Sequence, residues 1–543
     1  MKKMKSLLSL FAAAAVLLSL LAGCAKSETN NSPQTSEGTG QDSNEMITVT
    51  AVRPVPDDLK FEGSDTLDNN VWTRLYESEL GIKLNYEWMV PIAQYEQKLN
   101  ISIASNDLPD IFQVNASQLK QLASDGQLAD LTAIFDEQAS DYTKDVLSQD
   151  GGNALASAKF DGKLLAIPKM ASGLGQANVL WIRTDWLKKL NLEAPKTIED
   201  VNKIAEAFTK NDPDGNQAND TFGLGLNKDL WGMFASLEGY FNGYGAYPNI
   251  WVKNEAGQLE SGNIQPEVKE GLVNLQKLFA SGYIDPEFGV KDSFKVSADA
   301  SANKIGMFYG LFWNMGWLSE AKTAHPEMEW TPYALVGKED GGTLVQVPFP
   351  INTYYVVNKN AKNPEAIIQM LNLQLEKCFG ATAEPEIYNV DAAGNPIFEY
   401  PLVYSEPPMK NPDAQVKVTA ALEQDDTGAL NPEELSYYNS IKAFRGGDLA
   451  GWGTEMMYGP EGSLAVINQY AENGRVLDDA YFGPPTEAMT QKGAILSQTQ
   501  LQTFTEIIMG GDIGKFDKYV SDWKTLGGDQ ITQEVNAWYA DRQ

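Results

Sequence analysis

Nine consecutive residues, Asp212-Pro-Asp-Gly-Asn-Gln-Ala-Asn-Asp220, carry oxygen-bearing side chains at alternating positions. In a tight loop that spacing turns relative positions one, three, five and nine toward one centre. Those positions are Asp212, Asp214, Asn216 and Asp220, and the position-seven backbone carbonyl, here that of Ala218, completes a set of hard donors suited to Ca²⁺. Two departures mark the run: position six is Gln217 rather than glycine, and position twelve is Gly223 rather than a bidentate glutamate. A full helix-loop-helix hand is excluded, which leaves a one-sided structural Ca²⁺ loop or a solvated Asx-rich turn. Other chemistry is thinly supplied. The chain has one histidine, His325, in a polar segment before Pro326, and two cysteines, Cys24 and Cys378. Ser-His, Cys-His and multi-histidine zinc centres are poorly supported on those numbers. With 73 acidic residues, a catalytic carboxylate pair stays open.

Cys24 draws its meaning from what precedes it. Lys2, Lys3 and Lys5 lead into an apolar run from Leu7 to Leu21, followed by Ala22 and Gly23. This is the pattern of an export signal, too short for the roughly 20 apolar residues of a membrane span. Small residues before a cysteine resemble the bacterial lipobox, which implies cleavage after residue 23 and acylation of Cys24. Ordinary cleavage beside an incidental cysteine is the alternative. Acyl chains contribute about 0.8 kcal/mol per buried CH₂, so two or more long chains hold a soluble body durably at a membrane. Residues 24–46 are almost wholly polar and read as a flexible stalk. With Cys24 acylated, Cys378 has no disulfide partner, and the body must be held by its own core. The net charge of −31 makes nucleic acid an unsuitable ligand.

The loop and any ligand site need a scaffold. An alternating β-branched run at residues 47–52 reads as a strand, and helical spacing at Val71, Leu75 and Leu80 follows it. A strand at 81–86, a helix at 95–105 and a strand at 109–114 come next. Further on, Thr197 and Asp200 form an acidic capping box before a helix at 198–208, and Pro266 opens another at 266–279. Strand signals at 221–226 and 304–309, a helix near 364–373 and a mainly helical stretch after residue 411 complete the pattern. Alternating strands and helices predict an α/β fold with parallel sheet.

Several segments match a known family in order and spacing. They are Ile103-Ala-Ser-Asn-Asp-Leu-Pro-Asp-Ile111, Gly126-Gln-Leu-Ala-Asp-Leu131, Asp161-Gly-Lys-Leu-Leu-Ala-Ile-Pro168, the run from Trp181 to Leu190, and Asp212-Pro-Asp-Gly-Asn216. From residue 47 onward the chain resembles the family 1 extracellular solute-binding proteins, the lipoprotein receptors of bacterial ABC carbohydrate importers. That resemblance implies a periplasmic-binding-protein-like α/β fold of two lobes with a ligand cleft between them and closure presented to a membrane permease. The expected lobes are residues 47–173 with 348–410, and 174–347 with 411–543, joined by crossings near 167–180, 345–355 and 403–418. Oligosaccharide-binding members carry a similar one-sided metal loop, some with a carboxylate at position ten, where this chain has Thr221. The ligand implied is a carbohydrate, an oligosaccharide, and a monomer is expected.

Sugars present apolar faces edged by hydroxyls, so aromatic and hydrogen-bonding residues are the candidates. The resemblance points to Trp313 and Trp317, after the 304–309 strand. The rule that ligands sit outside the carboxyl ends of strands adds Arg53, Asn115 and Trp231. Tyr354, beside the second crossing, and Trp452, in a Gly-rich stretch, complete the set. For each, core packing is the competing role. The competing function is a lipid-anchored glycoside hydrolase or polysaccharide lyase, for which no segment speaks.

Overall fold

The computed structural model describes residues 46–56, 59–61, 63–390 and 396–542; the expected leader, Cys24 and the stalk before Met46 lie outside the described residues. Two apolar cores organise the chain. The first draws on residues from Val49 to Met170 and from Ile351 to Val403. The second draws on residues from Ala177 to Val347 and from Ala414 to Val535. The chain therefore passes between cores three times, within residues 170–177, 347–351 and 403–414.

Each core contains a five-stranded sheet. The first has the order Ile82–Pro91, Ile47–Val55, Ile111–Val114, Tyr354–Val357, Ile167–Pro168. The second runs Trp330–Tyr333, Val179–Arg183, Ile305–Gly310, Phe222–Leu224, with Phe234–Ser236 beside the carboxyl half of Ile305–Gly310. Both sheets are mixed, which corrects the expectation of parallel pairing. The cause is the crossing chain. Ile47–Val55 is parallel to its neighbours, but Tyr354–Val357 enters from the other core at the carboxyl end of Ile111–Val114, pairing Tyr354 with Val114, and so must run backward. Val179–Arg183 likewise enters opposite the end of Ile305–Gly310, pairing Val179 with Gly310. The carboxyl edges of the forward strands in both sheets thus lie on the side where the chain crosses.

The crossings are stitched together. Lys169 N–H donates to the Thr353 carbonyl at 2.9 Å. Met170 N–H donates to Ser405 Oγ at 3.1 Å, and the Tyr355 hydroxyl donates to the Tyr404 carbonyl at 3.0 Å.

Local chemistry fixes the helix that delivers the metal-like loop. Thr197 Oγ1 accepts from Asp200 N–H at 3.3 Å while the Asp200 carboxylate accepts from Thr197 N–H at 3.1 Å, closing the capping box. From there Ile198–Lys210 turns Ile198, Val201, Ile204, Ala205 and Phe208 into the second core, the helical stripe expected from their spacing. Burying each of the larger ones stabilises by about 1.5–3 kcal/mol. The carboxyl-terminal third is helical apart from Val476–Asp478, which pairs in parallel with Val345–Val347. Among the described residues no helix is long and apolar enough to cross a membrane.

Candidate functional site

A cavity of about 440 Å³ opens at the carboxyl edge of the first sheet, the size of an ordinary small-ligand site. Its apolar walls include Tyr95, Tyr355, Phe398 and Tyr404, and its polar ones Arg53, Glu96, Gln113, Asn115, Lys169 and Asn352. Tyr95 comes from the helix Ile92–Ser105 that follows the second strand, and Asn115 caps the helix Ala116–Ser124 that follows the third. Lys169 and Asn352 each flank one of the crossings, and Tyr404 lies in the third. The cavity therefore touches the segments that would bend if the two cores moved.

Most of its polar groups are already oriented. Arg53 is 4% exposed, and its Nη1 and Nη2 donate to the carbonyls of Tyr400 at 2.5 Å and Glu399 at 2.6 Å. Asn115 Oδ1 accepts from Gln118 N–H at 2.9 Å while its Nδ2 donates to Glu96 Oε1 at 3.2 Å. The Tyr95 hydroxyl donates to the Gln113 carbonyl at 3.0 Å, and burial raises its pKa well above the ordinary phenol value. Burial does the same to Tyr404, so both phenols stay neutral near pH 7. Lys169 Nζ lies 5.8 Å from the Tyr404 ring centre, with no ion pair among the described residues. The result is a cavity whose aromatic walls are interspersed with polar groups fixed by protein partners, the kind of mixed surface that suits a ligand with apolar faces edged by hydroxyls.

Of the residues expected from sequence, Arg53 and Asn115 line this cavity. Trp231, Trp313 and Trp317 sit half-buried against the second core instead. Tyr354 and Trp452 are corrections. The Tyr354 hydroxyl points away from the cavity to within 2.8 Å of Ser157 Oγ, because successive strand residues face opposite ways, and its neighbour Tyr355 lines the cavity instead. Trp452 is fully buried under Lys322, whose Nζ lies 5.5 Å from the ring, so no ligand face is free. Sequence reasoning missed Tyr95, Glu96, Lys169, Phe398 and Tyr404. The strand-end rule could have reached Tyr95 and Glu96, which follow the second strand, but nothing local marks the others.

The Asp212 to Asp220 loop does leave Ile198–Lys210 and enter Phe222–Leu224. Its side chains hydrogen-bond within the turn. Asp212 accepts from Gly215 N–H at 3.0 Å and Gln217 N–H at 3.1 Å, Asn216 Oδ1 from Ala218 N–H at 2.6 Å, and Asp220 from Asn216 Nδ2 at 3.0 Å. Burial and the neighbouring Asp212 raise the pKa of Asp214. Gly223 explains the missing twelfth ligand. A Cβ there would lie 2.1 Å from the Ala205 carbonyl, so no glutamate fits. Among the described residues no cluster of three or more acidic, His or Cys side chains is arranged to hold a metal.

The remaining reactive groups lie elsewhere. Cys378 is buried, and burial pushes its thiol up to about 12, far from a reactive thiolate. His325 sits at a helix end, its Nδ1 3.1 Å from Asn303 Nδ2.

Comparison with known proteins places these features. Residues 61–377 match the family of bacterial extracellular solute-binding proteins. The chain is 25% identical to lipoprotein LipO of Bacillus subtilis, over 96% of each chain. It is 27% identical to the fructooligosaccharide ABC transporter substrate-binding protein FusA of Streptococcus pneumoniae, over 55% of this chain and 57% of that one. FusA structures, one with kestose and one an EF-hand mutant with fructo-nystose, superpose with a TM-score of 0.57 at 20% identity, over 92% of this chain and 99–100% of theirs. An HMO-binding, ABC-transporter-associated solute-binding protein from Bifidobacterium longum infantis gives a TM-score of 0.64 at 16% identity, covering 91% of this chain and 98% of that one. These neighbours share the periplasmic-binding-protein-like α/β fold with this chain. The profile match over more than half its length makes the chain a member of the bacterial extracellular solute-binding protein family.

Proposed function

We propose that this protein is the substrate-binding component of an ABC importer that captures an oligosaccharide between two lobes and hands it to a membrane permease. The observation that carries the reading is the cavity at the carboxyl edge of the first sheet, whose aromatic walls and aligned hydrogen-bonding groups meet the crossing segments at Lys169 and Asn352. Family membership and the saccharides named for FusA support it. The moving lobes are residues 47–173 with 348–410 and residues 174–347 with 411–543. Arg53 and Asn115 act from the first lobe and Trp231 and Trp313 from the second, with Trp317, packed against Trp313, as a support. The protein works as a monomeric receptor without catalysis, and the transport energy comes from a separate ATPase.

Two finer assignments accompany this reading. Cys24 is acylated and anchors the body to the outer face of the cell membrane, with LipO's lipoprotein name in support. The 212–220 loop takes a structural Ca²⁺ through Asp212, Asp214, Asn216, the Ala218 carbonyl and Asp220. The fit rests on the donor set, all hard oxygens. A thermal-shift screen of a glycan array tests the main claim: at least one oligosaccharide raises the melting temperature, whereas an array with none contradicts it. Cys24→Ala protein is expected in the medium with its glycan binding intact; retention at the membrane would refute the anchor.

A further inference from the structure

One aromatic ring on the second core stands out for being exposed on top of a rigid support. Phe294, at the start of the helix Ser293–Ser301, is 65% exposed. Its ring lies parallel to Trp317, with centres 4.7 Å apart and planes 16° from parallel. Trp317 is in turn parallel to Phe234 at 6.1 Å and 8°, and Phe234 stacks on the buried Phe308 at 4.0 Å and 23°. Four rings therefore form a column that runs from the core to a free aromatic face. Rings in offset stacks of this kind are held in orientation by their neighbours. The amino end of the helix is fixed as well: Asp292 accepts from Lys295 N–H at 3.0 Å, and Ser293 Oγ donates to the Phe234 carbonyl at 3.3 Å.

The position of the column says what such a face is for. Phe234 pairs with Gly310 at the end of Ile305–Gly310, and Gly310 also pairs with Val179, the first residue of the strand that enters from the crossing. The column thus rises from the carboxyl edge of the second sheet on the crossing side. The 440 Å³ cavity opens at the matching edge of the first sheet, where Tyr354 pairs with Val114. At the edge of the second sheet Phe294 offers a flat, exposed apolar surface. Lys291, three residues before Phe294, is paired with Asp285 at 2.5 Å and Asp299 at 2.7 Å.

Building on the carbohydrate reading above, we propose that Phe294 is the stacking platform for a sugar ring of the oligosaccharide outside the first-lobe cavity, held in orientation by Trp317 and Phe234. It determines the preference for chain length. A ring that fits the cavity alone does not touch it; a longer saccharide lays an apolar ring face on it when the lobes close.

The test uses an array of mono- to decasaccharides spanning fructans, glucans, mannans and galacturonans, followed by calorimetric titration of the glycans that bind. Phe294→Ala is expected to weaken the longer glycans about ten-fold while leaving the shortest binder unchanged. Phe294→Leu, which keeps apolar bulk without a ring, should lose nearly as much, and Phe294→Trp should restore affinity. Both controls keep the test open if the alanine variant folds poorly. Unchanged affinity for the long glycans in the alanine and leucine variants overturns the platform alone. Equal weakening of short and long glycans also overturns it. A concentration-dependent dimer of the parent chain that Phe294→Ala abolishes would assign the ring to self-association and overturn the platform. No bound glycan on the parent chain overturns the carbohydrate reading itself.

Discussion

Arg53 and Tyr400 stand 347 positions apart in sequence, yet Arg53 Nη1 donates to the Tyr400 carbonyl at 2.5 Å. That bond, with the parallel one from Nη2 to the Glu399 carbonyl, ties the 396–401 segment to the end of the first strand and shapes one wall of the cavity. The guanidinium is a builder of the site before it is a contact within it.

Arg53→Met should therefore cost stability and ligand affinity together. Two charge-assisted bonds at a site 4% exposed are worth about 3–6 kcal/mol in all. The expected outcome is a melting temperature lowered by several degrees, with saccharide binding weakened at least ten-fold. A folded variant with parental affinity would show that the wall does not depend on this tie.

The two tyrosines at the head of one strand should separate cleanly. Tyr354→Phe removes only the contact to Ser157, so about 1 kcal/mol of stability is expected to go while saccharide affinity stays unchanged. Tyr355→Phe loses the bond to the Tyr404 carbonyl and loosens a cavity wall, so it should lower affinity. Titration of the two variants side by side checks the assignment, and the reverse ranking would contradict it.

Acid should stabilise the region around Asp479. Burial raises its pKa to about 6, against the lowering effect of hydrogen bonds from Trp251 N–H and Tyr481 N–H. The folded chain thus binds more protons at this site than the unfolded chain between about pH 4 and pH 6, and stability from this group grows as pH falls through that window. Asp479→Asn keeps an acceptor without the charge. It is expected to melt higher than the parent at pH 7, and the gap should close by pH 4.5. A gap that does not depend on pH would rule out the buried carboxylate as its cause.

The 212–220 loop offers a calcium test. Asp212→Asn with Asp214→Asn should abolish a rise in melting temperature that the parent shows on going from chelator to millimolar Ca²⁺. Identical parental melting in both conditions would refute the metal.

Sequence periodicity found the helices and strands that build the cores, because an apolar stripe such as Ile198, Val201, Ile204 and Phe208 is written locally. The direction of the crossing strands was not, since Tyr354–Val357 runs backward only because the chain arrives from the other core. The same nonlocality hid most of the cavity. Lys169, Phe398 and Tyr404 meet there through bonds between crossings that no short motif encodes. Tyr354 and Tyr355 differ by one residue in strand phase, and side-chain alternation puts only Tyr355 on the cavity wall. Phe294 lay within an unremarkable helix start, and only its stack on Trp317 sets it apart.

The most direct test of the receptor reading is small-angle X-ray scattering of the full chain with and without a glycan selected from the array, with the glycan analysed chemically afterwards. The account predicts a smaller radius of gyration on binding and an unaltered saccharide. An unchanged radius at saturation, or cleavage of the saccharide, would contradict it.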